Sequence, residues 1–101
     1  MPSLTLAERR SLALHQAVAA RLREDPRLVE RARTYVAVRE REGRLHPQYA
    51  RQWRVLLQLP LEELIVKLLD HGEEMCALRQ TTPFAGVLEP RQRWRILRET
   101  A

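Results

Sequence analysis

The chain has 101 residues, 45% of them apolar and 31% charged, with a formal net charge of +5. That length suits one domain with a modest core, and that balance excludes a disordered polymer. The lone cysteine, Cys76, excludes an internal disulfide and suits a reducing compartment, and no apolar run approaches the roughly 20 residues that span a bilayer. The opening Met1-Pro2-Ser3-Leu4-Thr5 has no basic region followed by an apolar run, so no secretory signal is expected and the compartment reads as cytoplasmic.

In chain order, Thr5-Leu6-Ala7-Glu8 has the spacing of a capping box and predicts a helix over about 6–24, with Leu14, Val18 and Leu22 on its apolar stripe. Asp25-Pro26 signals a restart. The second helix is expected over about 26–42, with Leu28, Ala32, Tyr35 and Val36 facing the core and Gly43 as its stop. His46-Pro47 opens a third helix carrying Tyr49, Ala50, Trp53, Leu56 and Leu57. Pro60 starts a fourth, whose Leu61, Leu64, Ile65, Leu68 and Leu69 make the most hydrophobic face and the expected core. Asp70-His71-Gly72 ends it. A short helix over about 73–80 bears Met75, Cys76 and Leu78, and Pro90 starts a last helix with Trp94 and Leu97. No strand, repeat or low-complexity tract stands out. The expected fold is all-α, a compact bundle of five or six short helices in a single domain spanning 1–101.

Between the last two helices lies Gln80-Thr81-Thr82-Pro83-Phe84-Ala85-Gly86-Val87-Leu88-Glu89-Pro90. Two prolines and a glycine break the helix, yet Phe84, Val87 and Leu88 keep the segment apolar. A connection of that kind either packs back on the body or meets a partner. In the first case these residues cap the open end of the bundle. In the second, residues 81–101 form a docking arm, with Phe84 and Trp94 as anchors. Arg91, Arg95 and Arg98 share one stripe of the last helix, either as a solvated face or as a contact for acidic groups or phosphates.

The positive charge is uneven. Residues 1–58 hold twelve arginines against six acids, residues 59–82 two basic groups against five acids, and residues 83–101 four arginines against two acids. A basic first half attracts phosphate backbones or an acidic protein surface. The bias of arginine over lysine, with Lys67 the one lysine, also follows from GC-rich coding. The helices flanking Gly43-Arg44-Leu45-His46 fit a helix-turn-helix poorly, because Arg39, Glu42 and Arg44 occupy places that want small or apolar residues. Were nucleic acid bound there, Arg33, Arg41, Arg44, Arg51 and Arg54 would meet its phosphates.

Catalysis finds little support. His15, His46 and His71 are dispersed, and His71, Glu74 and Cys76 have the wrong helical phase for one metal ion. Cys76 between Met75 and Ala77 reads as an inert core thiol. The adjacent pairs Glu62/Glu63 and Glu73/Glu74 diverge around a helix, and no glycine-rich phosphate loop occurs. No cofactor, metal or enzymatic activity is expected.

Two segments together, Leu4-Thr5-Leu6-Ala7-Glu8-Arg9-Arg10-Ser11-Leu12-Ala13-Leu14-His15 and Leu78 through Leu88 with Pro90 and Arg93-Trp94, resemble short bacterial proteins that look like antitoxins of toxin–antitoxin pairs. The resemblance implies a small non-enzymatic protein that binds and silences a co-expressed toxin, with repression of its own promoter as a second role and homodimers as a common state. The expected function is therefore binding to a partner protein through Phe84, Val87, Leu88 and Trp94, aided by Arg91, Arg95 and Arg98, with no membrane involved. The alternatives are a nucleic-acid-binding regulator using the basic half, or a structural subunit whose Leu61-to-Leu69 face meets a neighbour.

Overall fold

The architecture is all-α. A computed structural model describes residues 3–101, and in it the chain folds as α1 (Leu6–Glu24), α2 (Arg27–Arg41), α3 (Pro47–Leu56), α4 (Leu61–Leu68), α5 (Glu73–Arg79) and α6 (Pro90–Glu99), with a 3-10 turn at Ala85–Val87. Met1 and Pro2, part of the N-terminal reading above, lie outside the described residues. No helix is long and apolar enough to cross a membrane among the described residues.

Each boundary has a local cause. The capping box at α1 is formed: the Glu8 amide donates to Thr5 Oγ1 at 3.1 Å, and the Thr5 amide donates to Glu8 Oε1 at 2.9 Å. The Asp25 amide closes α1 onto the Arg21 carbonyl, and the Asp25 carboxylate accepts from the Arg27 amide, so one residue ends a helix and starts the next. Pro26 consequently sits one place earlier than expected, at the cap rather than inside α2. Gly43 stops α2 with φ +73, the left-handed conformation that glycine adopts without strain. The Arg44 amide reaches the Arg39 carbonyl (2.9 Å) and the Gly43 amide reaches that of Glu40 (3.1 Å), the paired bonds of a Schellman ending. His46 caps α3 through Nδ1, which accepts from the Gln48 amide, and Pro47 follows in the first turn.

One core draws on every element up to the linker. Leu22 of α1, Val36 of α2, Trp53 and Leu57 around α3, and Leu64 and Leu68 of α4 are almost wholly enclosed. Leu64, Ile65 and Leu68 of α4 are buried, Leu61 and Leu69 are half-buried, and Val66 faces outward. Arg23 at the end of α1 makes a two-pronged bond to Glu62 at the start of α4 (3.0 and 2.8 Å), and this partner holds the Glu62 carboxyl below its ordinary range. The Cα radius of gyration, 13.2 Å, is about that of a compact 100-residue globule.

The apolar linker packs back on the body. Phe84 is 1% exposed and meets Trp53 edge to face, with ring centroids 6.2 Å apart and planes at 78°. Leu88 is buried beside it, and Val87 packs against the same cluster. Two buried polar pegs fix the path of the linker. The Trp53 indole N–H donates to Thr81 Oγ1 at 2.9 Å, and that hydroxyl donates onward to the Leu78 carbonyl at 2.8 Å. From α1, His15 reaches Thr82 Oγ1 through Nε2 at 2.8 Å while Nδ1 faces the Ser11 carbonyl at 2.7 Å. A carbonyl only accepts, so Nδ1 carries the proton, Nε2 accepts from the Thr82 hydroxyl, and the Thr82 oxygen is free to accept from the Phe84 amide.

This closed chain needs a neutral imidazole. Burial pushes the His15 pKa down to about 4, the charge of Arg79 pushes the same way, and the hydrogen bond to Ser11 opposes both. The ordinary value is 6.5, so the unfolded chain binds a proton that the folded one refuses between those limits. Stability is therefore complete above pH 6.5 and falls as the pH drops towards 4, by roughly 3 kcal/mol over the window. Urea midpoints measured across that range should show the decline, and His15→Gln should flatten it. An equal slope in the variant would place the titration elsewhere.

Candidate functional site

The linker delivers the chain to α6, which lies along α1. Arg10 Nε of α1 donates to the Thr100 carbonyl at 3.4 Å, and the Arg9 guanidinium donates to the Ala101 carbonyl at 3.3 and 3.1 Å. Ile96 packs on the core. Two positions separate Trp94 from Ile96, a rotation of about 200° on an α-helix, so the indole is carried to the far side. There it is 67% exposed. Pro90, Arg91, Arg95 and Arg98 surround it, and the five residues line one shallow, open depression. Among the described residues none of the three arginines makes an ion pair.

The residues expected to bind a partner are thus divided by the fold. Phe84 and Leu88 belong to the interior, Val87 is half-buried against it, and Trp94, Arg91, Arg95 and Arg98 share one outward face. Phe84 is enclosed in the folded chain. Its ring is a structural part of the body, because α6 and the linker rest on the bundle instead of projecting from it.

The five arginines considered for nucleic acid are also separated. Arg33 pairs with Glu30 and donates to the Leu57 carbonyl at 3.0 Å, and Arg54 pairs with Glu40. Both side chains are committed within the molecule. Arg41, Arg44 and Arg51 are exposed and make no ion pair among the described residues, but Arg44 and Arg51 line different hollows.

A second feature has no counterpart in the sequence reading. A cleft of about 670 Å³ opens where α1, α2, the linker and the inner edge of α6 meet. Arg10, Arg39, Arg44 and Arg93 line it together with Ser11, His15, Tyr35 and Thr82, and no aspartate or glutamate does. Tyr35, expected in the core, is 39% exposed at this cleft with the Arg39 guanidinium over its ring, 5.2 Å from the centroid. Its position at the edge of the α2 stripe explains the difference: Ala32 and Val36 complete the buried face, and the phenol keeps its polar end in water.

The most unusual buried group, Arg79, at 2% exposure, also lines the cleft. Its Nη1 donates to the carbonyls of Leu68 (2.8 Å) and Asp70 (2.7 Å), the otherwise orphaned acceptors at the end of α4. Nη2 contacts Cys76 Sγ at 3.3 Å, and Nε has no partner. Burial, with a hydrogen bond to Glu8, pushes the Cys76 thiol up, which suppresses the thiolate a nucleophile needs. Among the described residues no group of three or more His, Cys, Asp or Glu side chains is placed to hold a metal ion.

No protein family, curated protein or solved structure matches this chain.

Sequence reasoning missed Arg79, His15 and the cleft for one reason. Arginine is so common here that no single one is conspicuous, and the cleft joins positions from 10 to 93 that no local spacing links. The usable signal for His15 was its place on the buried stripe, four residues before Ala19 and three before Val18.

Proposed function

We propose that this chain is a non-enzymatic binding protein that docks the outward face of α6 onto an acidic surface of a partner protein, and that silencing a toxin-like partner is its role. The observation that carries the reading is Trp94, a large indole in solvent with Arg91, Arg95 and Arg98 around it and no acid among them. Tryptophan and arginine are the residues most enriched where interfaces gain their energy, and a tryptophan contributes most when a partner removes it from water. Three guanidinium groups on the same face favour a carboxylate-rich counterpart and speed the encounter. α6 rests on a folded body, so the face is held ready and little ordering is required on binding.

The test is recovery of the tagged full chain from native lysate after nuclease treatment, at moderate salt. One protein should accompany it stoichiometrically. Trp94→Ala should weaken that complex by about 30-fold or more, equivalent to about 2 kcal/mol, with melting temperature unchanged. Charge reversal by Arg91→Glu with Arg95→Glu should abolish it, while Arg51→Ala on another face should not. Retention of the partner by both α6 variants would overturn the proposal, and recovery of nucleic acid alone from untreated lysate would favour the basic half of the chain instead.

A further inference from the structure

We infer that the cleft between α1, α2, the linker and α6 is a binding site for a phosphorylated ligand of nucleotide size. Five arginines elsewhere meet acids, Arg21, Arg23, Arg27, Arg33 and Arg54, while among the described residues Arg41, Arg51, Arg91, Arg95 and Arg98 are unpaired but line no cleft with the four considered next. At the cleft, Arg10, Arg39, Arg44 and Arg93 converge from three helices and a turn with no carboxylate in the lining, and none of the four forms an ion pair among the described residues. Gathering four like charges around one concavity is unfavourable until an anion enters, and it focuses the positive field inward.

The donor type selects the anion. A guanidinium offers a planar fork that matches phosphate oxygens two at a time, and four of them exceed what one carboxylate can use. Within the described residues Arg10 is bonded only through Nε, to Thr100, and the Arg39 guanidinium carbon stands over the Tyr35 ring. The half-exposed Tyr35 ring supplies a planar surface beside the charges, the pairing that a nucleobase with its phosphates would use. At about 670 Å³ the volume lies in the range of small-ligand sites, roughly 300–1,000 Å³. The four arginines gather around one concavity instead of running along an extended groove, which favours a free nucleotide over a nucleic-acid backbone as the source of the phosphates.

The site is independent of the α6 docking face, since Arg93 and Leu97 line the cleft while Trp94 points away. Isothermal titration of the full chain with ATP, pyrophosphate, adenosine and an unphosphorylated single-stranded oligonucleotide tests it. ATP should bind, pyrophosphate should compete with it, adenosine should bind at least tenfold more weakly, and affinity should fall with added salt. Arg39→Ala and Arg44→Ala should each weaken ATP about tenfold or more. Both residues lie at the surface, so the fold is expected to survive, and circular dichroism checks this; Arg93→Ala serves if either variant unfolds. Trp94→Ala should leave ATP binding unchanged. Absence of binding by both ATP and pyrophosphate, full binding by the arginine variants, or an oligonucleotide that binds far more tightly than ATP would each overturn the assignment.

Discussion

Phe84→Ala is expected to lower the unfolding free energy by about 3–5 kcal/mol, the cost of emptying a packed aromatic site. Phe84 is enclosed, stands edge-on to Trp53, and sits two residues after the Thr82 hydroxyl that receives its amide and bonds His15. Removing the ring leaves a void beside Trp53, the centre of the core, and loosens the segment that delivers α6. For a domain of this length such a loss corresponds to a drop in melting temperature upwards of about 12 °C. Urea denaturation followed by circular dichroism measures it directly. Trp94→Ala is the control, because an exposed residue away from special features should move stability by no more than about 0.5 kcal/mol. A small effect of Phe84→Ala, equal to that of Trp94→Ala, would mean that the linker does not pack as described.

The second large effect is expected at Arg79. Replacement by Met keeps much of the volume but removes every donor, and the Leu68 and Asp70 carbonyls then lose the partner they share. A buried acceptor left unpaired costs about 1–3 kcal/mol, so the variant should be less stable by roughly 2–4 kcal/mol. A buried ion pair can often be replaced by apolar groups without loss, because both partners go together. That route is closed here, since the partners are backbone carbonyls at the end of α4. Arg79→Lys retains a charge and fewer donors and should recover part of the loss. Stability equal to the parent in Arg79→Met would show that the carbonyls find water instead.

The helices were legible in the sequence because their signals are local. Thr5 with Glu8, Gly43, His46-Pro47, Pro60 and Pro90 each sit at or within two residues of a helix end, and each acts locally, through capping bonds or through backbone conformation. The apolar face of α4 was equally plain. The fate of the linker was not, since Phe84, Val87 and Leu88 are apolar whether they meet Trp53 or a partner, and only the tertiary path decides. Trp94 was placed on the right helix, but its exposure depends on Ile96 facing the core, which a ten-residue helix with four arginines does not announce. The basic cleft was invisible for the same reason in stronger form: Arg10, Arg39, Arg44 and Arg93 are distant in sequence, and each alone reads as surface.

On the proposed function, the indole of Trp94 is where this protein meets its partner. Fluorine NMR of the fluorotryptophan-labelled chain tests it most directly, because there are two tryptophans, one exposed and one enclosed, and Trp94→Phe assigns them. In the free protein the Trp94 resonance should respond to exchange of water for heavy water while that of Trp53 does not. Saturation with the recovered partner should shift the Trp94 resonance and remove its solvent response, leaving Trp53 in place. A complex in which Trp94 keeps its free position and its full solvent response would contradict the account.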